Sequence, residues 1–132
     1  MKRIRIVALL VGLTTDILGT ILFSGVVIVV FLAMHRGSGE RPEVVLHRFA
    51  SDTALLTVGY FCGIAFTLLG AYITAKMSRP HSVVNAFVFG IISTLLIVFF
   101  ASMYPLWYNV LCVVTIIPVS LVPGYLLARK TV

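Results

Sequence analysis

With 132 residues, 61% of them hydrophobic and only 11% charged, the chain departs from the composition of a soluble domain, which carries about twice that charged share. Its mean hydropathy of +1.15 places it in the membrane class, and its length suits one bundle rather than two domains. The formal net charge of +6 raises nucleic acid as a partner, but the bases sit at the ends of apolar runs with no interleaved aromatics, which argues against it.

The N-terminal MKRIR precedes residues 6–34, one apolar run holding a single ionisable residue, Asp16. The start imitates a signal peptide. The run is too long for an h-region, Asp16 interrupts it, and no A-x-A-like site follows, so an uncleaved first span is expected. Ala8, Gly12, Asp16 and Gly19 share one helix face, flanked by Thr15 and Thr20. A small-residue stripe lets a neighbouring helix approach, which turns Asp16 towards that helix rather than lipid. At 1.5 Å per residue the run is ~43 Å long against a ~30 Å hydrocarbon core, so it must tilt or project.

Residues 35–52 form the one long polar connection. Gly37, Ser38 and Gly39 break the helix, and Pro42 suits the first turn of a new one. A short interfacial helix of about two turns is expected there, with Ser51 or Asp52 capping the second span. His35, Glu40, Glu43 and His47 are the only metal-type side chains grouped together; without a second strong ligand pair they read as a solvated face.

The second span covers about 53–75, with Gly59, Gly63 and Gly70 on one face and a GxxxG at 59–63. Lys76 and Arg79 end it, and Pro80 stops the helix. The third span covers about 82–103, with Ala86, Gly90 and Thr94 at successive i+4 steps. Tyr104, Pro105, Trp107 and Tyr108 form an uncharged aromatic turn suited to the headgroup boundary. The fourth span covers about 107–128, where Pro118 and Pro123 predict kinks. Cys62 and Cys112 lie in apolar runs and read as small buried hydrophobes.

Basic residues alone set the orientation. With the N-terminus inside, Lys2, Arg3, Arg5, Lys76, Arg79, Arg129 and Lys130 are cytoplasmic, against Arg36, Arg41 and Arg48 outside. The expectation is an all-α, four-span bundle in one domain, with both termini cytoplasmic, multi-pass in a bacterial inner membrane.

Residues 8–18 read ALLVGLTTDIL and residues 86–96 read AFVFGIISTLL. Residues 71–76 read AYITAK and residues 124–129 read GYLLAR. The matches suggest two helical hairpins related by a two-fold along the membrane normal, as in parallel-repeat transporters. In this alignment Asp16 falls on Thr94 and Thr15 on Ser93, so Thr94 or Ser93 is the expected hydroxyl partner of Asp16. The span-end pattern Ala71, Tyr72, Ala75, Lys76, followed by Ala86 and Gly90, resembles small four-helix bacterial inner-membrane proteins of uncharacterised role. The resemblance covers about residues 70–96 and implies no activity.

No HExxH, GxSxG or phosphate loop occurs, and intramembrane proteolysis would want a second acid at depth, so no enzyme, catalytic residue, metal or cofactor is expected. Two functions remain. One is a non-enzymatic accessory or assembly subunit acting through helix–helix contacts in a homo-oligomer or larger membrane complex. The other is a small oligomeric channel or transporter for an ion or small solute using Asp16. Gly12, Gly19, Gly59, Gly63, Gly70 and Gly90 are the expected packing residues in either case.

Overall fold

A computed structural model describes residues 4–35, 39 and 41–129. The described residues are helical with no strand: α1 (Ile6–Met34), α2 (Pro42–Ser51), α3 (Thr53–Met77), α4 (Ser82–Phe99), a short 3-10 turn (Ala101–Met103) and α5 (Leu106–Arg129). Four of them, α1, α3, α4 and α5, are long and apolar enough to cross a membrane. The first, second and fourth fall within two residues of where hydropathy places them; the third is expected over about 82–103, but its α-helix ends at Phe99, where the chain tightens into the 3-10 turn Ala101–Met103.

The connections follow local chemistry. Pro42 opens α2, and Glu43 in its first turn and Arg48 in its last complement the helix dipole. Ten residues long, α2 exceeds the two turns expected. Its Val45 is buried, and its Phe49 ring stacks edge-on against Phe31 of α1, with centroids 5.4 Å apart. Asp52, rather than Ser51, caps α3: its Oδ1 accepts from the N–H groups of Ala54 (2.9 Å) and Leu55 (3.1 Å). Ser51 instead donates to the carbonyls of His47 and Arg48. α5 remains helical through both Pro118 and Pro123. Each proline still withholds one backbone donor.

α3 is the central helix, packed against α1, α4 and α5, while α4 and α5 pair most extensively and α1 touches α4 only lightly. The core is made of small residues. Leu9, Ala71 and Phe89 form one cluster, and Ala75, Ala86 and Leu127 form another. Both lie towards the end of the bundle that carries Arg5, Lys76, Arg79 and Arg129, hereafter the basic end. Every buried residue of α1 falls between Ala8 and Asp16, and from Ile17 to Met34 none is buried.

The basic end is tied by hydrogen bonds between helix termini. The Arg5 N–H donates to Asn85 Oδ1 (2.9 Å), and the Arg5 guanidinium donates to the Met77 carbonyl (3.0 Å). The Ser82 hydroxyl donates to the Gly124 carbonyl of α5 (3.2 Å). The two Arg5 bonds meet groups that helix ends leave unpaired, the Arg5 N–H ahead of α1 and the Met77 carbonyl at the end of α3.

The two hairpins, α1–α3 and α4–α5, pack in different registers. A Cβ on Gly12 would lie 2.6 Å from the Gly70 carbonyl oxygen, and one on Gly90 would lie 3.4 Å from the Ile117 Cα. Both glycines therefore face the next spanning helix of the chain, α3 for Gly12 and α5 for Gly90. In the repeat alignment, however, residue 117 stands opposite residue 64, not 70, so the second hairpin is slipped by more than a turn.

Orientation is open to a direct measurement. With Cys62 and Cys112 replaced by serine, Glu43→Cys is expected to label from outside intact cells and Arg79→Cys only after lysis. Both positions are exposed, whereas Ser78 is fully buried and unsuited to labelling. External labelling at position 79 would reverse the topology.

Candidate functional site: an acid shared by three spans

The approach of α1 to α3 fixes the site. Gly12 and Gly70 face one another, and a Cβ on either would sit 2.6 Å from the other's carbonyl oxygen. One turn towards the basic end, the Thr74 hydroxyl donates to the Ala8 carbonyl (3.2 Å). One turn the other way comes Asp16. The antiparallel path of α3 brings Thr67 opposite it, and Phe66 beyond covers Gly19 with its ring. Two glycines thus let the backbones close, and the side chains on either side fall into pairs.

Asp16 is 9% exposed. Its Oδ1 accepts from the Thr67 hydroxyl of α3 at 3.3 Å, and its Oδ2 accepts from the Ser93 hydroxyl of α4 at 3.4 Å. Both distances exceed the usual ~2.5–3.0 Å of an O–H···O bond, so both contacts are weak. Thr67 and Ser93 are buried. The carboxyl therefore joins three of the four candidate spans, ~15 Å along α1 from its start. No Lys or Arg lies within residues 6–34, 53–75, 82–103 or 107–128, so its partners are hydroxyls. Such a group can lock helix register, or it can hold a proton at depth.

The expected partners are partly corrected. Ser93 is one of them. Thr94 is not: its hydroxyl turns back to the Gly90 carbonyl (2.8 Å). Thr15 does the same with the Val11 carbonyl (2.8 Å). Adjacent residues are rotated by about 100° on a helix, so only one of Ser93 and Thr94 can face Asp16. Thr67 is a partner that sequence reasoning missed. A single threonine in an apolar run carries no signal until the Gly12–Gly70 contact sets the register.

The glycines also divide. Gly12, Gly19, Gly70 and Gly90 are each in close contact with another helix. Gly59 and Gly63 are not: a Cβ at either meets nothing within 4 Å. They share a face with Gly70, but the Phe66 ring against Gly19 stands between that close contact and the rest of the stripe. Packing of Gly59 and Gly63 within the chain is thereby excluded, and contact with a second copy stays open.

At the opposite end, Glu43 and His47 line an open hollow of about 500 Å³ on α2 with Val44, Arg48 and Ser51. Among the described residues, no three His, Cys, Asp or Glu side chains come together to hold a metal. Glu40 lies outside the described residues. Pro123 is buried and Pro118 exposed, and Cys62 and Cys112 are free thiols. Comparison with protein-family models, with curated proteins and with solved structures finds no match.

Proposed function

We propose that this multi-pass membrane protein is a non-enzymatic assembly subunit of a bacterial inner membrane, acting through contacts between its helices and those of a second copy. The observation that carries this reading is the open glycine face of α3. Gly70 is filled by α1, while Gly59 and Gly63 on the same face have no neighbour within 4 Å of a Cβ. Glycines at i, i+4 spacing expose backbone that another transmembrane helix can approach closely.

The test is cross-linking in membranes, with Cys62 and Cys112 replaced by serine. Gly59→Cys is expected to give disulfide-linked dimers, and adding Gly63→Leu is expected to abolish them while leaving monomer stability unchanged. Monomers across a wide range of protein-to-lipid ratios would sink the reading.

One observation favours a second reading. A carboxyl held inside the bundle by two hydroxyls is also what a proton or cation carrier needs. In that reading Asp16 is the transported ion's binding group, with Thr67 and Ser93 orienting it.

A further inference from the structure

α5 uses one side for α4, with Ile117, Ser120 and Gly124 against Gly90 and Ala86. Another, outward side carries an open hollow of about 370 Å³, a long, shallow groove lined along this one helix by Pro118, Leu121, Val122, Tyr125, Leu126 and Arg129. From Pro118 to Arg129 the groove is ~16 Å long. That matches one leaflet, half of the ~30 Å hydrocarbon core. Its lining is apolar from Pro118 to Leu126, apart from the Tyr125 phenol, and ends in the Arg129 guanidinium. Polarity thus rises along the groove in the order of a lipid: tail, then glycerol level, then headgroup.

Charge adds a second, independent reason. The basic end holds Arg5, Lys76, Arg79 and Arg129. The acids of the sequence are Asp16, Glu40, Glu43 and Asp52; Asp16 is deep in the bundle and the others precede α3, at the opposite end. Arg5 already donates to the Met77 carbonyl, and Lys76 lies over the Tyr72 ring, 5.6 Å from its centroid. Among the described residues no Asp or Glu lies at this end of the bundle beside Arg129, which closes the row of lining residues. Guanidinium pairs with phosphate through parallel N–H···O bonds, and basic pockets beside transmembrane helices suit anionic headgroups.

We propose that this face of α5 binds one anionic phospholipid, its acyl chain along Pro118, Val122 and Leu126 and its phosphate on Arg129. Tyr125 then lies at the glycerol level, where amphipathic rings settle. The site is independent of Asp16 and of the open glycine face of α3.

Native mass spectrometry of the detergent-purified protein tests it, with phosphatidylglycerol and phosphatidylcholine added in equal amounts. Wild type is expected to retain phosphatidylglycerol several-fold over phosphatidylcholine. Arg129→Gln should bring that ratio to about one. Val122→Trp, which fills the groove, should reduce retention of both lipids while the protein stays monodisperse. Arg79→Gln removes a charge from the same end but outside the groove, and should keep the wild-type preference. Equal retention by wild type would overturn the proposal, as would unchanged preference in Arg129→Gln or unchanged retention in Val122→Trp. Displacement of the lipid by millimolar inorganic phosphate would also overturn it, since the site would then recognise phosphate alone.

Discussion

Gly70→Leu is expected to pull α1 away from α3 and to destabilise the bundle more than any other single glycine replacement on α3. Even alanine is too large. Its Cβ would lie 2.6 Å from the Gly12 carbonyl oxygen, 2.9 Å from Phe89 Cζ and 3.1 Å from the Asp16 Cβ. The Phe89 ring can turn, but the Gly12 carbonyl belongs to helix backbone and cannot yield without moving α1. Overpacking of this kind costs about 1–3 kcal/mol, and the branched leucine should exceed alanine. Parting the helices also breaks the Thr74–Ala8 and Thr67–Asp16 bonds on either side, so the loss is cooperative. Gly59→Ala and Gly63→Ala should change monomer stability by less than about 0.5 kcal/mol, because open space receives the added methyl. Unfolding in mixed micelles with increasing SDS, followed by circular dichroism, gives the comparison. A Gly70→Leu midpoint equal to wild type would mean that α1 does not pack on α3 through the Gly12–Gly70 contact.

The same contrast shows what the sequence could and could not reveal. Four spans, the short helix opening at Pro42 and the cap at Asp52 follow from length, hydropathy and local hydrogen-bonding chemistry. These are properties of a segment, and a segment carries them by itself. Which glycines meet a neighbour is a property of two segments and their register. Gly59, Gly63 and Gly70 look alike on a helical wheel, yet only Gly70 is filled, because the bulk of Phe66 lies against Gly19 between them. The repeat alignment puts Asp16 on Thr94. It finds the right depth and the right helix, since Ser93 next door takes the bond. It misses by one residue, which on a helix is the difference between facing the acid and turning back to the Gly90 carbonyl. Thr67 needs the pairing of Gly12 with Gly70, which no single segment encodes.

Asp16→Leu is the second large effect expected, and its size depends on what the hydroxyls do next. Asp16 accepts from Thr67 and from Ser93, so the substitution removes both interhelical bonds. Such bonds in membranes average about 0.6 kcal/mol and reach about 1.7 kcal/mol; at 3.3 Å and 3.4 Å the pair stands near the average, at about 1 kcal/mol together. The freed hydroxyls have a fallback in the carbonyl one turn earlier, as Thr57 and Thr115 use theirs. That fallback keeps the cost near this value. Asp16→Asn should cost less, since an amide can accept from one hydroxyl and donate to the other. Double-mutant cycles locate the partners: Asp16→Leu with Thr67→Val, and with Ser93→Ala, should each show coupling of about 0.5 kcal/mol. Cycles with Thr94→Val and Thr15→Val should show none, because those hydroxyls bond within their own helices. Coupling to Thr94 and not to Ser93 would restore the symmetric pairing and discard the Thr67–Asp16–Ser93 geometry. Proteoliposomes then separate the two functions. If Asp16 only ties the spans, proton and cation flux stays at the lipid background in wild type and in Asp16→Asn alike. If it carries an ion, wild type exceeds that background and Asp16→Asn, folded and nearly as stable, falls to it.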